Sequence, residues 1–213
     1  MEKNNFKKFS DFLSEGERIE ILNFVLNFDL NLSEIQNFHI KTVRSELNGK
    51  SFMFNIDETE VSNYLSTFQS GSQVFNRNLL PDTIINLKEK ISEKCEIDLE
   101  NCFLQIIKMK NGGKIRKHYD STLPGFINYK CNISLMSDDY TLFTNVENIS
   151  VKQNDLYCFE ASLYKHWTDE FKCDRLLLSF GFGLPLEKLG RKSDDPRVRM
   201  SDRIFRYFQD KTS

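Results

Sequence analysis

The sequence predicts a mainly β fold, a barrel or jelly roll buttressed by helices that come first in the chain. Two patterns and one bound predict it. From Phe103 to Phe182, short runs rich in β-branched and aromatic residues alternate with turn signals, and no helical periodicity interrupts them. The first hundred residues instead place apolar side chains mostly at helical spacing. The length of 213 residues suits one domain with a substantial core. The reading is a single domain over 1–213: a helix-and-strand support region (1–100), a jelly-roll core (101–185) and a helical tail (186–213).

In order, Ser14-Glu15-Gly16-Glu17 is a capping-box pattern, followed by Ile21, Leu22, Val25 and Leu26 on one helical face. A strand pair is expected at Phe38-His39-Ile40 and Ser51–Ile56, turning at Asn48-Gly49. Asp57–Glu60 opens a second helix with Val61, Tyr64, Leu65 and Phe68 inward, ended by Ser70-Gly71-Ser72. Pro81 suits the first turn of a third helix, lined by Ile84, Leu87 and Ile91 and ending near Cys95. Strands are then expected at Phe103–Met109, Ile115–Asp120, Phe126–Met136, Tyr140–Val146, Leu156–Phe159, Lys165–Thr168 and Arg175–Phe182. Asn111-Gly112-Gly113, Pro124-Gly125 and Ser137-Asp138-Asp139 punctuate them.

Composition narrows the function. Apolar residues make up 39% and charged residues 28%, as in an ordinary globular protein. A net charge of −2 gives no general attraction to nucleic acid or anionic membrane. Cys95, Cys102, Cys131, Cys158 and Cys173 are scattered, odd in number and form no CxxC pair, which argues for a reducing compartment and against a zinc ribbon. With no apolar signal core or membrane-length stretch, the expected location is the cytoplasm.

Two of the three histidines carry the chemistry. His118 and Asp120, one residue apart on an expected strand, share a face. His166, from a later strand, completes two neutral nitrogens and one carboxylate. Such a set binds a divalent metal on one side and leaves the opposite positions open, as in non-haem Fe(II) oxygenases. Nine residues on, the Arg175 guanidinium offers a fork for the far carboxylate of a bidentate co-substrate. A salt bridge to Asp174 or Glu170 is the ordinary alternative for Arg175. The third histidine, His39, reads as a surface or strand residue.

From about Leu104 to Phe182 the chain resembles the Fe(II)/2-oxoglutarate-dependent oxygenases. The resemblance rests on His118-Tyr119-Asp120, His166, Arg175 heading Arg175–Phe180, and the turn-strand unit Asn154–Phe159. It implies a double-stranded β-helix, a cupin-like jelly roll with helices outside. It also implies Fe(II), 2-oxoglutarate and O2, with 2-oxoglutarate decarboxylated to succinate and CO2 while a second substrate is hydroxylated. The metal ligands would be His118, Asp120 and His166, and Arg175 would hold the co-substrate. Related halogenases replace the aspartate, so Asp120 implies hydroxylation.

Departures from the family pattern sharpen the site. A serine often follows the arginine by two residues; Leu177 stands there and Ser179 comes two later. Where many members have a tyrosine before the metal motif, Met109 stands here, leaving Asn132 and Tyr129 as candidate partners of the co-substrate. The nucleic-acid demethylases usually have a second arginine six residues after the first; here it is Gly181, so a nucleic-acid substrate is not expected. The basic C-terminal segment from Arg191 to Arg206 reads as a solvated helix face. Size favours a small-molecule hydroxylase acting on an amino acid or biosynthetic intermediate, ahead of a prolyl-hydroxylase-like protein modifier. A cupin-type metal enzyme without 2-oxoglutarate and a non-catalytic binding or sensing module are the alternatives. Oligomeric state and prime substrate are not encoded in these motifs.

Overall fold

The structure, a computed structural model, describes residues 6–32, 45–46, 49–70 and 74–212. The early strands are β1 (Lys7–Phe9), β2 (Ser45–Glu46), β3 (Gly49–Asn55), β4 (Val74–Asn76), β5 (Cys102–Met109) and β6 (Lys114–Ile115). There follow β7 (Phe126–Met136), β8 (Tyr140–Thr144), β9 (Asn148–Val151), β10 (Leu156–Glu160), β11 (His166–Thr168) and β12 (Arg175–Pro185). The helices are α1 (Glu15–Leu32), α2 (Glu60–Ser70), α3 (Asp82–Ile85), α4 (Leu87–Cys95) and α5 (Pro196–Thr212).

Seven strands form the major sheet in the order β1-β10-β7-β12-β5-β3-β4, and three form the minor sheet β11-β8-β9. From β7 onward the chain alternates between the two sheets, the winding of a double-stranded β-helix. Leu142, Ile149 and Val151 of the minor sheet meet Tyr157, Phe159 and Leu177 of the major one, closing the roll. The outer face of the major sheet carries the larger core. There Ile106, Ile133, Leu178, Phe180 and Phe182 pack under Ile21, Val25 and Phe28 of α1 and Ile84, Leu87 and Ile91 of α3 and α4. Covered on both sides, β7 and β12 are buried along nearly their whole length.

Local chemistry sets the elements. Ser14 Oγ accepts from the Glu17 amide at 3.3 Å while Glu17 Oε2 accepts from the Ser14 amide at 2.7 Å, a reciprocal cap that starts α1. Residues 21, 25 and 28 face inward at helical spacing, whereas Leu26, expected inward, is exposed. The expected third helix divides at Asn86 into α3 and α4 but keeps its apolar face. Cys95, Cys131 and Cys158 gather on the outer side of the major sheet as fully buried free thiols. Burial holds Cys131 and Cys158 well above the usual thiol range.

Some expectations change. Strand β3 occurs where expected but pairs with β5 and, in parallel, with β4; Phe38–Ile40 and Asn48 lie outside the described residues. The expected strand Ile115–Asp120 shrinks to Lys114–Ile115 plus an isolated bridge at His118, because its partner β11 is only three residues long. Strands β1, β4 and β9 were too short to show a period. Among the described residues, no helix is long and apolar enough to cross a membrane.

Candidate active site

Backbone pairing delivers the three metal-type side chains. His118 and His166 exchange both amide–carbonyl hydrogen bonds, at 3.2 and 2.9 Å, and the Asp120 amide donates to the Ala161 carbonyl at 3.0 Å. The imidazoles lie with ring centroids 4.3 Å apart. The edge-on ring of Phe159, 4.9 Å away, walls His166. Asp120 Oδ1 stands 3.2 Å from His118 Nε2 and 3.8 Å from His166 Nε2. Metal bonds of about 2.1 Å at right angles require donor separations of about 3 Å, so the trio fits one face of an octahedral ion with small adjustment.

Protonation suits the same role. His118 Nδ1 lies 2.7 Å from the Arg116 carbonyl and His166 Nδ1 lies 3.1 Å from the Tyr164 carbonyl. A carbonyl only accepts, so each Nδ1 carries the proton and each Nε2 lone pair is free. Burial, and then the neighbouring His118, lowers the His166 pKa to about 3, keeping it neutral. Burial works against ionised Asp120, but the Lys130 ammonium beside it outweighs that and holds the carboxyl well below its usual range.

Arg175, at the start of β12, is 1% exposed. Its Nη2 donates to the Tyr140 hydroxyl and, at 3.1 Å, to the Tyr157 hydroxyl; Nη1 lies 4.0 Å from Met109 Sδ. The guanidinium sits 4.2 Å over the Tyr140 ring and 4.6 Å over the Phe171 ring. Among the described residues, buried Nε has no hydrogen-bond partner. Asp174 and Glu170, the alternative partners considered for Arg175, pair with Lys110 at 2.7 Å and Lys114 at 3.1 Å. Among the described residues no carboxylate lies within 4.0 Å of Arg175. A buried cation without a counter-charge is costly, and a ligand carboxylate removes that cost. Ionisation of the Tyr140 hydroxyl is pushed far up by burial, against the pull of Arg175, so it stays protonated.

The remaining candidates divide by strand parity. Ser179 and Asn132 are direct partners across β12 and β7, on the same face as Arg175 and Leu177. Asn132 Oδ1 is buried without a partner among the described residues, a polar group on the inner face of the roll. Tyr129 is corrected: opposite Phe182, it belongs to the outer core beside Cys95, Cys131 and Cys158 and does not face the roll. Residues 129 and 132 are three apart, so alternation alone excludes their sharing a face. Trp167 points away from the trio, stacked on Phe143 at 5.7 Å with Lys117 over its ring. The basic tail is partly structural rather than solvated: Arg191 grips buried Glu160 at 2.6 Å, and Arg197 bonds Asp195 and Tyr164.

Sequence reasoning missed Tyr140, Tyr157, Phe171 and Lys130. Tyr157 lies two residues before Phe159 in the turn-strand unit, a parity signal for the same face. Lys130 is the sole charge in the buried strand Phe126–Met136, an anomaly visible in the sequence.

No family model and no curated protein matches the sequence. Solved structures do match. A prolyl-4-hydroxylase of Pseudomonas putida superposes with TM-score 0.54 at 14% identity, over 85% of this chain and 94% of that one. A viral collagen prolyl hydroxylase from Paramecium bursaria Chlorella virus-1, in its 2-oxoglutarate complex, gives 0.55 at 15%, over 85% and 97%. A prolyl hydroxylase of Trichoplax adhaerens, in complex with a hypoxia inducible factor oxygen degradation domain peptide, gives 0.54 at 13%, over 88% and 86%. The chain therefore has the double-stranded β-helix fold of these hydroxylases.

Proposed function

We propose that this chain is an Fe(II)- and 2-oxoglutarate-dependent oxygenase that hydroxylates an unactivated C–H bond. The observation that carries the reading is the pairing of one metal-type trio, His118, Asp120 and His166, with a buried arginine that lacks a carboxylate partner among the described residues and is linked to His166 through Tyr157 and Phe159. Bound there, Fe(II) would supply the site at which 2-oxoglutarate is decarboxylated with O2 and the substrate is oxidised. The protein's part is placement. The Nε2 atoms of both histidines and Oδ1 of Asp120 would hold the ion. Arg175 Nε and Nη atoms would fork the distal carboxylate, with Tyr140 and Tyr157 fixing the guanidinium and Phe171 shielding it from water. Asn132 and Ser179 would flank the co-substrate between the two ends. The buried Arg175 Nε, without a partner among the described residues, is a donor left for the acceptor oxygens of a dicarboxylic keto acid.

Size no longer separates substrate classes, because the three prolyl hydroxylases have nearly the same span as this chain. A prolyl side chain in a protein is thus the first prime substrate to test, and a free amino acid or biosynthetic intermediate the second. Anaerobic titration of the apo-protein with Fe(II) and then 2-oxoglutarate tests the oxygenase reading. A weak visible charge-transfer band from the chelated keto acid is expected, and it should vanish in His166→Ala. Its absence from well-folded parent protein would overturn the reading. Succinate release with prolyl peptides against free amino acids then separates the substrate classes.

A further inference from the structure

We infer that Lys130 is a positioning residue that confines Asp120 to metal ligation through one oxygen and keeps the neighbouring coordination position for an incoming carboxylate. The keto-acid part of this inference rests on the oxygenase reading; the metal part does not.

A lysine in the middle of β7 is out of place by any packing rule. Its neighbours on both flanking strands are Gly181 and Phe159, and only 8% of Lys130 is exposed. An ammonium is retained in such a place when it is paired. The pair is specific in its geometry. Lys130 Nζ lies 3.1 Å from Oδ2 of Asp120, while Oδ1 of the same carboxylate faces both imidazoles at 3.2 and 3.8 Å. Oδ2 makes no hydrogen bond of regular geometry, so the contact is an ion pair rather than a directed bond. The two oxygens of one carboxylate are thereby divided between two cations, the lysine and any metal at the histidines.

Packing aims the lysine. A Cβ at Gly181 would fall 2.0 Å from the Phe103 ring, so the absent side chain is what lets Phe103 lie across β12. The Lys130 ammonium then stands 6.0 Å from the centre of that ring and 3.1 Å from Asp120 Oδ2. A carboxylate free at both oxygens can chelate a cation and occupy two positions. With Oδ2 held by Lys130, Asp120 fills one. The fixed positive charge also opposes a bare divalent ion and favours the ion together with an anionic ligand, since like charges repel across a short, poorly screened gap.

The test compares the parent, Lys130→Met and Lys130→Arg, using Mn(II) alone and then 2-oxoglutarate on the Mn(II)-loaded protein. Free Mn(II) is read by electron paramagnetic resonance and keto-acid binding by calorimetry. Lys130→Met is expected to bind Mn(II) about threefold or more tighter. It is also expected to bind 2-oxoglutarate about tenfold or more weaker, with Lys130→Arg restoring parental behaviour on both axes. A purely structural lysine would not strengthen metal binding on removal. Mn(II) affinity that is unchanged or weaker in folded Lys130→Met overturns the inference. Infrared difference spectra of the parent, metal-loaded minus apo, decide it without any variant: a one-oxygen carboxylate signature supports it and a chelating one overturns it. Should the parent bind metal but no keto acid, the oxygenase reading falls and the metal arm still decides the role of Lys130.

Discussion

Replacing Arg175 with methionine separates stability from function in a way that few buried residues permit. The guanidinium is 1% exposed and has no carboxylate partner among the described residues, so the apo fold carries the burial cost of a whole charge, several kcal/mol. Two ring faces at 4.2 and 4.6 Å and two tyrosine hydroxyls return much of this, about 2 kcal/mol for each desolvated ring face and about 1.5 kcal/mol for each hydrogen bond from the charge. Methionine fills similar volume without charge, and Tyr140 and Tyr157 keep their mutual hydrogen bond at 3.0 Å. Cost and return are of similar size, so the apo-protein's stability should change by no more than about 2 kcal/mol, a Tm shift within roughly 4–8 °C for a chain of this size. Under the proposed function, 2-oxoglutarate should lose two charge-assisted bonds worth at least about 3 kcal/mol together, on the order of a hundredfold in Kd. Thermal melts of the apo-protein and calorimetric titration with 2-oxoglutarate read the two quantities. A clear fall in Tm with unaltered keto-acid affinity would refute the reasoning and make Arg175 a structural residue.

Other perturbations follow from the same geometry. Gly181→Ala drives a methyl to within 2.0 Å of the Phe103 ring and should cost about 1–3 kcal/mol or more in urea unfolding, with Phe103→Leu recovering part of the loss in the double variant. Arg191→Met strands Glu160, which is fully buried, and should cost about 3–5 kcal/mol; if chemical denaturation shows no loss, the tail is not anchored through this pair. Asp195 precedes α5, accepts from the Arg197 amide at 2.8 Å and has its pKa lowered chiefly by the Arg197 side chain. Its contribution is present above the carboxylate's unfolded pKa and is lost as pH falls through the lower folded value. Asp195→Ala should accordingly cost about 1 kcal/mol at neutral pH and progressively less in acid, read from denaturation midpoints across pH.

Much of the architecture was legible because it depends on local signals. The capping box at Ser14–Glu17, the helical spacing of Ile21 and Val25, and the strand runs from Phe103 onward are short-range patterns, and the structure keeps them. What went astray was long-range or a matter of parity. Tyr129 and Asn132 were both plausible beside the metal motif, yet a strand cannot turn residues three apart to one face. The strand expected to end at Asp120 is mostly a bridge because its partner supplies only three residues. Arg191 looked solvated until β10 brought Glu160 beneath it.

By itself the sequence singled out two histidines, one aspartate and one arginine as the candidate site. It also determined the alternation that makes β7 and β12 the walls of a roll. Tertiary structure alone decided what those donors meet. Tyr140 comes from the minor sheet and Tyr157 from the major one, and both reach Arg175 only when the roll closes. Lys130 gains its meaning from Asp120 ten residues earlier and from the space above Gly181, fifty-one residues later. Side-chain identity is written one residue at a time, but charge pairing and burial depend on which strands become neighbours, and that register is settled by packing the whole chain at once.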